Sequence, residues 1–156
     1  MSHAEIIGAA ALWDHETVAR EAIEWAETTS GKPLLSLKPS QFAGLLESAR
    51  GATSTADLVC KVKEYISSQA KRQKSRSIWH GLLSSLPEAL KRATASATLT
   101  DDPLNKSFNI CCLLLSRQPG DAAQDLRNKR ELMVMRAFVD ALAHRYRARK
   151  LYGVKP

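Results

Sequence analysis

Leu132-Met133-Val134-Met135-Arg136-Ala137-Phe138-Val139-Asp140-Ala141-Leu142-Ala143-His144-Arg145-Tyr146 is the stretch that decides the fold. Leu132, Met135, Phe138, Val139, Leu142 and Tyr146 recur at intervals of three and four residues, the repeat of one face of an α-helix. Upstream, Pro119-Gly120 is a break and Asp121 with Gln124 is a capping pattern, so the spacing predicts a long last helix that starts there. The same period runs backward through the chain. Leu104, Phe108, Cys111, Cys112 and Leu115 keep it up to Arg117, behind an N-cap signal at Asp101 or Asp102 before Pro103.

Ile78, Trp79, Leu82, Leu83 and Leu86 form another apolar stretch, and Ser85 and Glu88 around Pro87 predict a helix restarting and reaching about Ser96. Lys71 to Ser77 holds no apolar residue and is expected in solvent or against a ligand. Leu58, Val59, Val62, Tyr65, Ile66 and Ala70 are the core positions of a third helix opened by Ser54 and Asp57. Pro39 to Arg50 reads as a short second helix burying Phe42, Leu45 and Leu46. A first helix from His3 to Thr28 ends at Thr29-Ser30-Gly31-Lys32-Pro33, with Gly31 expected in the left-handed conformation and Leu34 to Leu37 as a connector. No period-two run of β-branched residues interrupts this pattern. The expected fold is all-α, a single compact bundle of about five to six helices over residues 1–156, without internal repeat or linker.

The chain of 156 residues is 44% hydrophobic and 25% charged, which suits one domain with a core that needs no disulfide. Cys111 and Cys112 lie in an apolar run and read as buried packing residues, as in a reducing cytosol. No stretch is apolar enough to span a membrane and the N-terminus lacks a basic start and cleavage site, so a cytoplasmic protein is expected. The net charge of +7 is unevenly placed. Residues 1–60 hold four basic and eight acidic side chains, a balance of −4, whereas residues 61–156 hold nineteen and eight, a balance of +11. Such an excess attracts polyanions, nucleic acid foremost.

Searches for catalytic patterns fail on spacing. His15-Glu16-Thr17-Val18-Ala19 has half of a zinc-protease pattern, with Ala19 where the second ligand belongs. Ser30-Gly31-Lys32-Pro33 echoes a phosphate-binding loop, but Ala26 replaces its first glycine and Pro33 its magnesium-holding hydroxyl. His3-Ala4-Glu5 resembles a deaminase fragment with no Pro-Cys-x-x-Cys to follow it. His80 and His144 read as packed or surface histidines, and Asp14, Glu16, Glu21, Glu24 and Glu27 as a solvated face of the first helix. The expectation is no enzyme, no metal and no cofactor.

The cations, by contrast, are concentrated. Lys61, Lys63, Lys71, Arg72, Lys74 and Arg76 face one acid, Glu64, and Arg145, Arg147, Arg149, Lys150 and Lys155 face none after Asp140. Arg72 with Arg76 and Arg145 with Arg149 are four apart, which predicts each pair on one side of a helix, and guanidinium forks match phosphate oxygens. Together with Arg136 these residues, Lys155 and Lys150 aside, are the candidate RNA-backbone contacts.

Leu37-Lys38-Pro39-Ser40-Gln41-Phe42 opens the second helix after Ala22-Ile23 in the first; Tyr65 to Arg72, ending Gln69-Ala70-Lys71-Arg72, lies on the third; Phe138 to Tyr146 lies on the last. In this order the segments resemble the small subunit of type III CRISPR effector complexes, the Csm-type α-helical subunit, whose second helix opens on a Leu-Thr-x-Ser-Gln-Ile motif. Ala43 and Gly44 stand where that family carries basic residues, and Leu86 to Gln118 is an insertion. The resemblance implies a non-catalytic subunit in antiviral defence that binds guide RNA and target RNA without reading sequence. It implies self-stacking copies that pack against other CRISPR effector subunits. Two other readings fit the residues: a helical DNA-binding regulator, and a protein-interaction bundle whose acidic first helix meets a basic neighbour.

Overall fold

The computed structural model describes residues 15–72, 76–99, 103–117, 120 and 122–152. Seven helices, and no strand among these residues, follow in order: α1 (His15–Ala26), α2 (Lys32–Leu35), α3 (Pro39–Arg50), α4 (Thr55–Arg72), α5 (Arg76–Leu99), α6 (Pro103–Ser116) and α7 (Ala122–Tyr152). The all-α bundle expected from the apolar period is the fold observed. The expected start of the first helix, and the caps at Asp101, Asp102 and Asp121, lie outside the described residues.

α7 is the central element and packs against α1, α3, α4, α5 and α6. Its expected stripe is buried, but so are Val134, Ala141 and Ala143 and the charged Arg130, so the covered surface extends beyond the face that spacing picked out. Ala141 and Ala143 are buried on flanks that a stripe of large residues does not mark. Around α7 the core is one continuous cluster that reaches from Val18 to Tyr146. Trp79 and Phe138 are the largest fully buried side chains; Phe138 lies 6.0 Å from Trp25, and Trp79 meets Tyr65 edge-on at 6.2 Å.

Three local expectations are corrected. Leu34 to Leu37 is not a plain connector: Lys32–Leu35 is a single helical turn with Pro33 in its first positions, and Leu34, Leu35 and Leu37 are all buried. Gly31 is not left-handed, since its φ is −95°. Room, not handedness, demands glycine there, because a Cβ would overlap the Trp25 carbonyl oxygen and lie 2.9 Å from Ala26 Cα. Finally, no helix restarts at Pro87, which sits inside an uninterrupted α5. Leu82, Leu86, Ala89, Leu90 and Ala93 are buried on both sides of it, and that burial holds the helix through the one backbone bond that proline cannot donate.

The start of α4 follows the sequence reading. Ser54 Oγ accepts the Asp57 backbone N–H at 3.0 Å, and the Asp57 carboxylate accepts the Thr53 backbone N–H at 2.9 Å. That Thr53 bond, aided by the Lys61 ammonium 3.3 Å away, holds the Asp57 carboxyl below its ordinary pKa of 3.8. A depressed folded pKa contributes stability above the ordinary value and loses it as the pH falls through the folded one. Asp57→Asn should therefore melt below the wild type at neutral pH, with the gap closing once the pH drops under 3.8. Thermal melts across pH check this, and a gap independent of pH would contradict the capping role.

Candidate polyanion interface

Two phenols organise one end of the bundle. Tyr65 on α4 donates its hydroxyl to the Gln41 carbonyl at 2.9 Å, and Tyr146 on α7 donates to the Leu37 carbonyl at 2.6 Å. Phe42 stacks on the Tyr146 ring with centroids 4.2 Å apart. Burial raises both phenol pKa values, so the hydroxyls stay protonated donors at neutral pH. Gly44 belongs to the same joint, since a Cβ there would overlap the Tyr65 ring. The segment entering α3 is thus clasped by α4 on one side and α7 on the other.

Beyond these joints both helices continue into cations. α4 runs seven residues past Tyr65, roughly 10 Å, to end at Lys71 and Arg72. α7 continues from Tyr146 through Arg147, Arg149 and Lys150, whose ammonium lies 5.5 Å from the Tyr146 ring centroid. Lys71, Arg72, Arg147 and Lys150 are exposed or half-buried, as is Arg149. Among the described residues none of the five forms an ion pair.

The other expected contacts are placed differently. Arg145 is turned inward: its Nε donates to Glu27 Oε1 at 2.9 Å and Nη2 reaches the same oxygen, tying α7 to the end of α1. Arg136 donates to the Ala52 carbonyl, and Lys61 donates to the Gly51 carbonyl at 3.0 Å while pairing with Asp57. These two cations hold the turn between α3 and α4. Lys63 is exposed but lies eight residues, about 12 Å, before Lys71 along α4. Lys74 lies outside the described residues, and of Arg76 only its place as the first residue of α5 is described. The expectation that Arg72 and Arg76 share one side of a helix is corrected, because α4 ends at one and α5 begins at the other.

The Ser40-Gln41 pair acts locally, since Gln41 Oε1 accepts the Lys38 backbone N–H at 3.0 Å and caps α3. His80 and His144 are exposed, Cys112 is buried, and the side chain of Cys111 lies outside the described residues. Cys60, which spacing did not mark, is an exposed thiol; it points at Glu64 Oε1 at 3.5 Å, which raises its pKa and disfavours the reactive thiolate. Among the described residues no group of three or more His, Cys, Asp or Glu could hold a metal, and no helix is long and apolar enough to cross a membrane.

Comparison of the chain with protein-family models, with curated proteins and with solved structures gives no match.

Proposed function

We propose that the protein is a non-catalytic helical subunit that lies along the sugar–phosphate backbone of RNA without reading its sequence, as a small subunit of a type III CRISPR effector complex would. Guide and target RNA, further copies of the chain and other effector subunits are its proposed partners, and the cytoplasm its proposed site. The observation that carries the RNA part is that Lys71 and Arg72 on α4 and Arg147 and Lys150 on α7 extend past phenol joints that clasp one segment, Leu37 to Gln41, and so stand at the same end of the bundle. Cations held in register by packed helices offset phosphate repulsion with little ordering of their backbone on binding. Protein contacts to the backbone position a nucleic acid, while sequence is left to base pairing. The resemblance of the Leu37–Phe42, Tyr65–Arg72 and Phe138–Tyr146 segments supports the assignment to the effector complex.

The test is binding of unrelated single-stranded RNA oligonucleotides over a salt series. Affinity should fall with salt by a log–log slope of about 0.7 per phosphate contact and vary little with sequence. Replacing Lys71, Arg72, Arg147 and Lys150 together with Ala should weaken binding at least about tenfold and lower that slope by about 2 to 3. Arg145→Ala should act on the melting temperature instead, because it leaves the Glu27 carboxylate unpaired. Unchanged affinity in the quadruple variant, or a marked preference for one DNA duplex, would overturn the proposal.

A further inference from the structure

Among the described residues four large hydrophobic side chains are exposed: Ile23 on α1, and Ile110, Leu113 and Leu114 on α6. The last three recur at intervals of three and four, so they form one uncovered face of a helix that packs on α7 and buries Cys112. Exposed cations stand on the same line, Lys106 four residues before Ile110 and Arg117 seven after it. Arg117 keeps the last turn of α6 through its backbone N–H, which donates to the Leu114 carbonyl at 3.4 Å. α6 itself contains no acidic residue.

Ile23 stands in surroundings of the opposite charge. Glu16 lies seven residues before it and Glu27 four after it on one side of α1, with the exposed Glu24 next in the chain. The Glu27 backbone N–H donates to the Ile23 carbonyl at 3.2 Å, which keeps Glu27 in the turn, while its Oε1 accepts Arg145. Glu16 meets Arg20 at 3.4 Å in an exposed pair of little worth, open to exchange for another cation.

The two faces match in register. Laid antiparallel with Ile23 on Ile110, α1 sets Glu27 at Lys106 and Glu16 at Arg117, because the offsets of four and seven residues are the same on both. Arg20 then falls at Leu113, where its methylene stem covers apolar surface and its head stays in water. α6 against α6 would instead bring Lys106 of one copy near Arg117 of the other, and α1 against α1 would gather glutamates, both opposed by like charge. An anionic membrane would use the α6 face and leave Ile23 uncovered among its acids.

We infer that the α6 face receives α1 of a second copy of this chain, with Ile23 seated among Ile110, Leu113 and Leu114 and Glu16 paired with Arg117. Each copy offers one face of each kind, so copies join head to tail. The inference deepens the proposed partnership between copies and rests on that part of the proposed function alone, since neither RNA nor another subunit enters it.

Sedimentation velocity of the full chain tests it, with circular dichroism confirming that each variant is folded. The mean mass should rise between about 10 μM and 1 mM protein and fall back when salt is added. Ile23→Lys, and separately Ile110→Gln with Leu113→Gln, should each leave a monomer. Mixed in equal amounts the two should form a dimer and nothing larger, because each keeps one intact face, a result that a contact between identical faces cannot give. Arg117→Glu and Glu16→Lys should each weaken association about fivefold, and both in one chain should restore most of it. The quadruple variant of the RNA experiment should associate as the wild type does, so the two readings fail separately. A wild type that stays monomeric at about 1 mM, whether or not anionic vesicles recruit it, or a mixture that does not dimerise, would overturn the inference.

Discussion

Phe138→Ala should destabilise the protein by about 3 to 5 kcal/mol, among the largest losses a single side chain here can produce. Phe138 is fully buried on the central helix, and its ring is 6.0 Å from that of Trp25, so truncation empties the space between α7 and α1. Neighbours on a helix packed along so much of its surface have little freedom to collapse into the hole. For a chain of this size the melting temperature should fall by about 10 °C or more. Urea unfolding should show a lower midpoint at unchanged slope, which assigns the loss to the folded core. Phe138→Leu, which keeps most of the volume, should cost about 1.5 kcal/mol or less. A loss under about 1 kcal/mol for Phe138→Ala would mean that α1 is not packed as described.

Gly31→Ala is the second large effect, and a less intuitive one, because the residue is neither left-handed nor in a sharp reverse turn. An added Cβ would meet three backbone atoms of Trp25 and Ala26, and backbone at the end of a packed helix cannot rotate away as a side chain can. The α1–α2 connection must shift, at about 3 kcal/mol. Leu34 and Leu35, both buried in the following turn, would move with it. Gly81→Ala is the opposite case: nothing lies within 4 Å of the added methyl on the exposed face of α5, so the substitution should stabilise by up to about 1 kcal/mol through helix propensity. Melts of the two variants should move in opposite directions. A Gly31→Ala melt at or above that of the wild type would show that the close approach at Gly31 is not what fixes glycine there.

Much of the fold was legible because burial on a helix leaves a periodic trace. Pro39–Arg50 and the cap at Ser54 could be read to the residue, since proline and short polar side chains act through their immediate neighbours. Pro87 shows where local rules stop. A proline signals a break only when nothing else holds the helix, and here Leu86 and Leu90 are sealed in the core. Gly31 stands out in the sequence for the wrong reason, as spacing reveals nothing of how near Trp25 comes. The site was legible in part. Charge clustering located the ends of α4 and α7, but it could not tell an outward guanidinium from one drawn inward. Arg145 and Arg147 look alike in sequence; Glu27, more than a hundred residues away, separates them. Arg136 and Lys61 likewise bind carbonyl oxygens, which carry no residue signature.

The clasp of Tyr65 and Tyr146 around the entry to α3 also bears on how this surface can change over generations. Its bonds join neutral hydroxyls to backbone carbonyls, so they ask nothing of Lys71, Arg72 and Arg147 beyond it. Lysine and arginine can be exchanged, lost or regained at positions 71, 72 and 147 while the helices stay where they are. Substitutions there can then change the charge of this end of the bundle by single steps, each invisible to the folding of the chain.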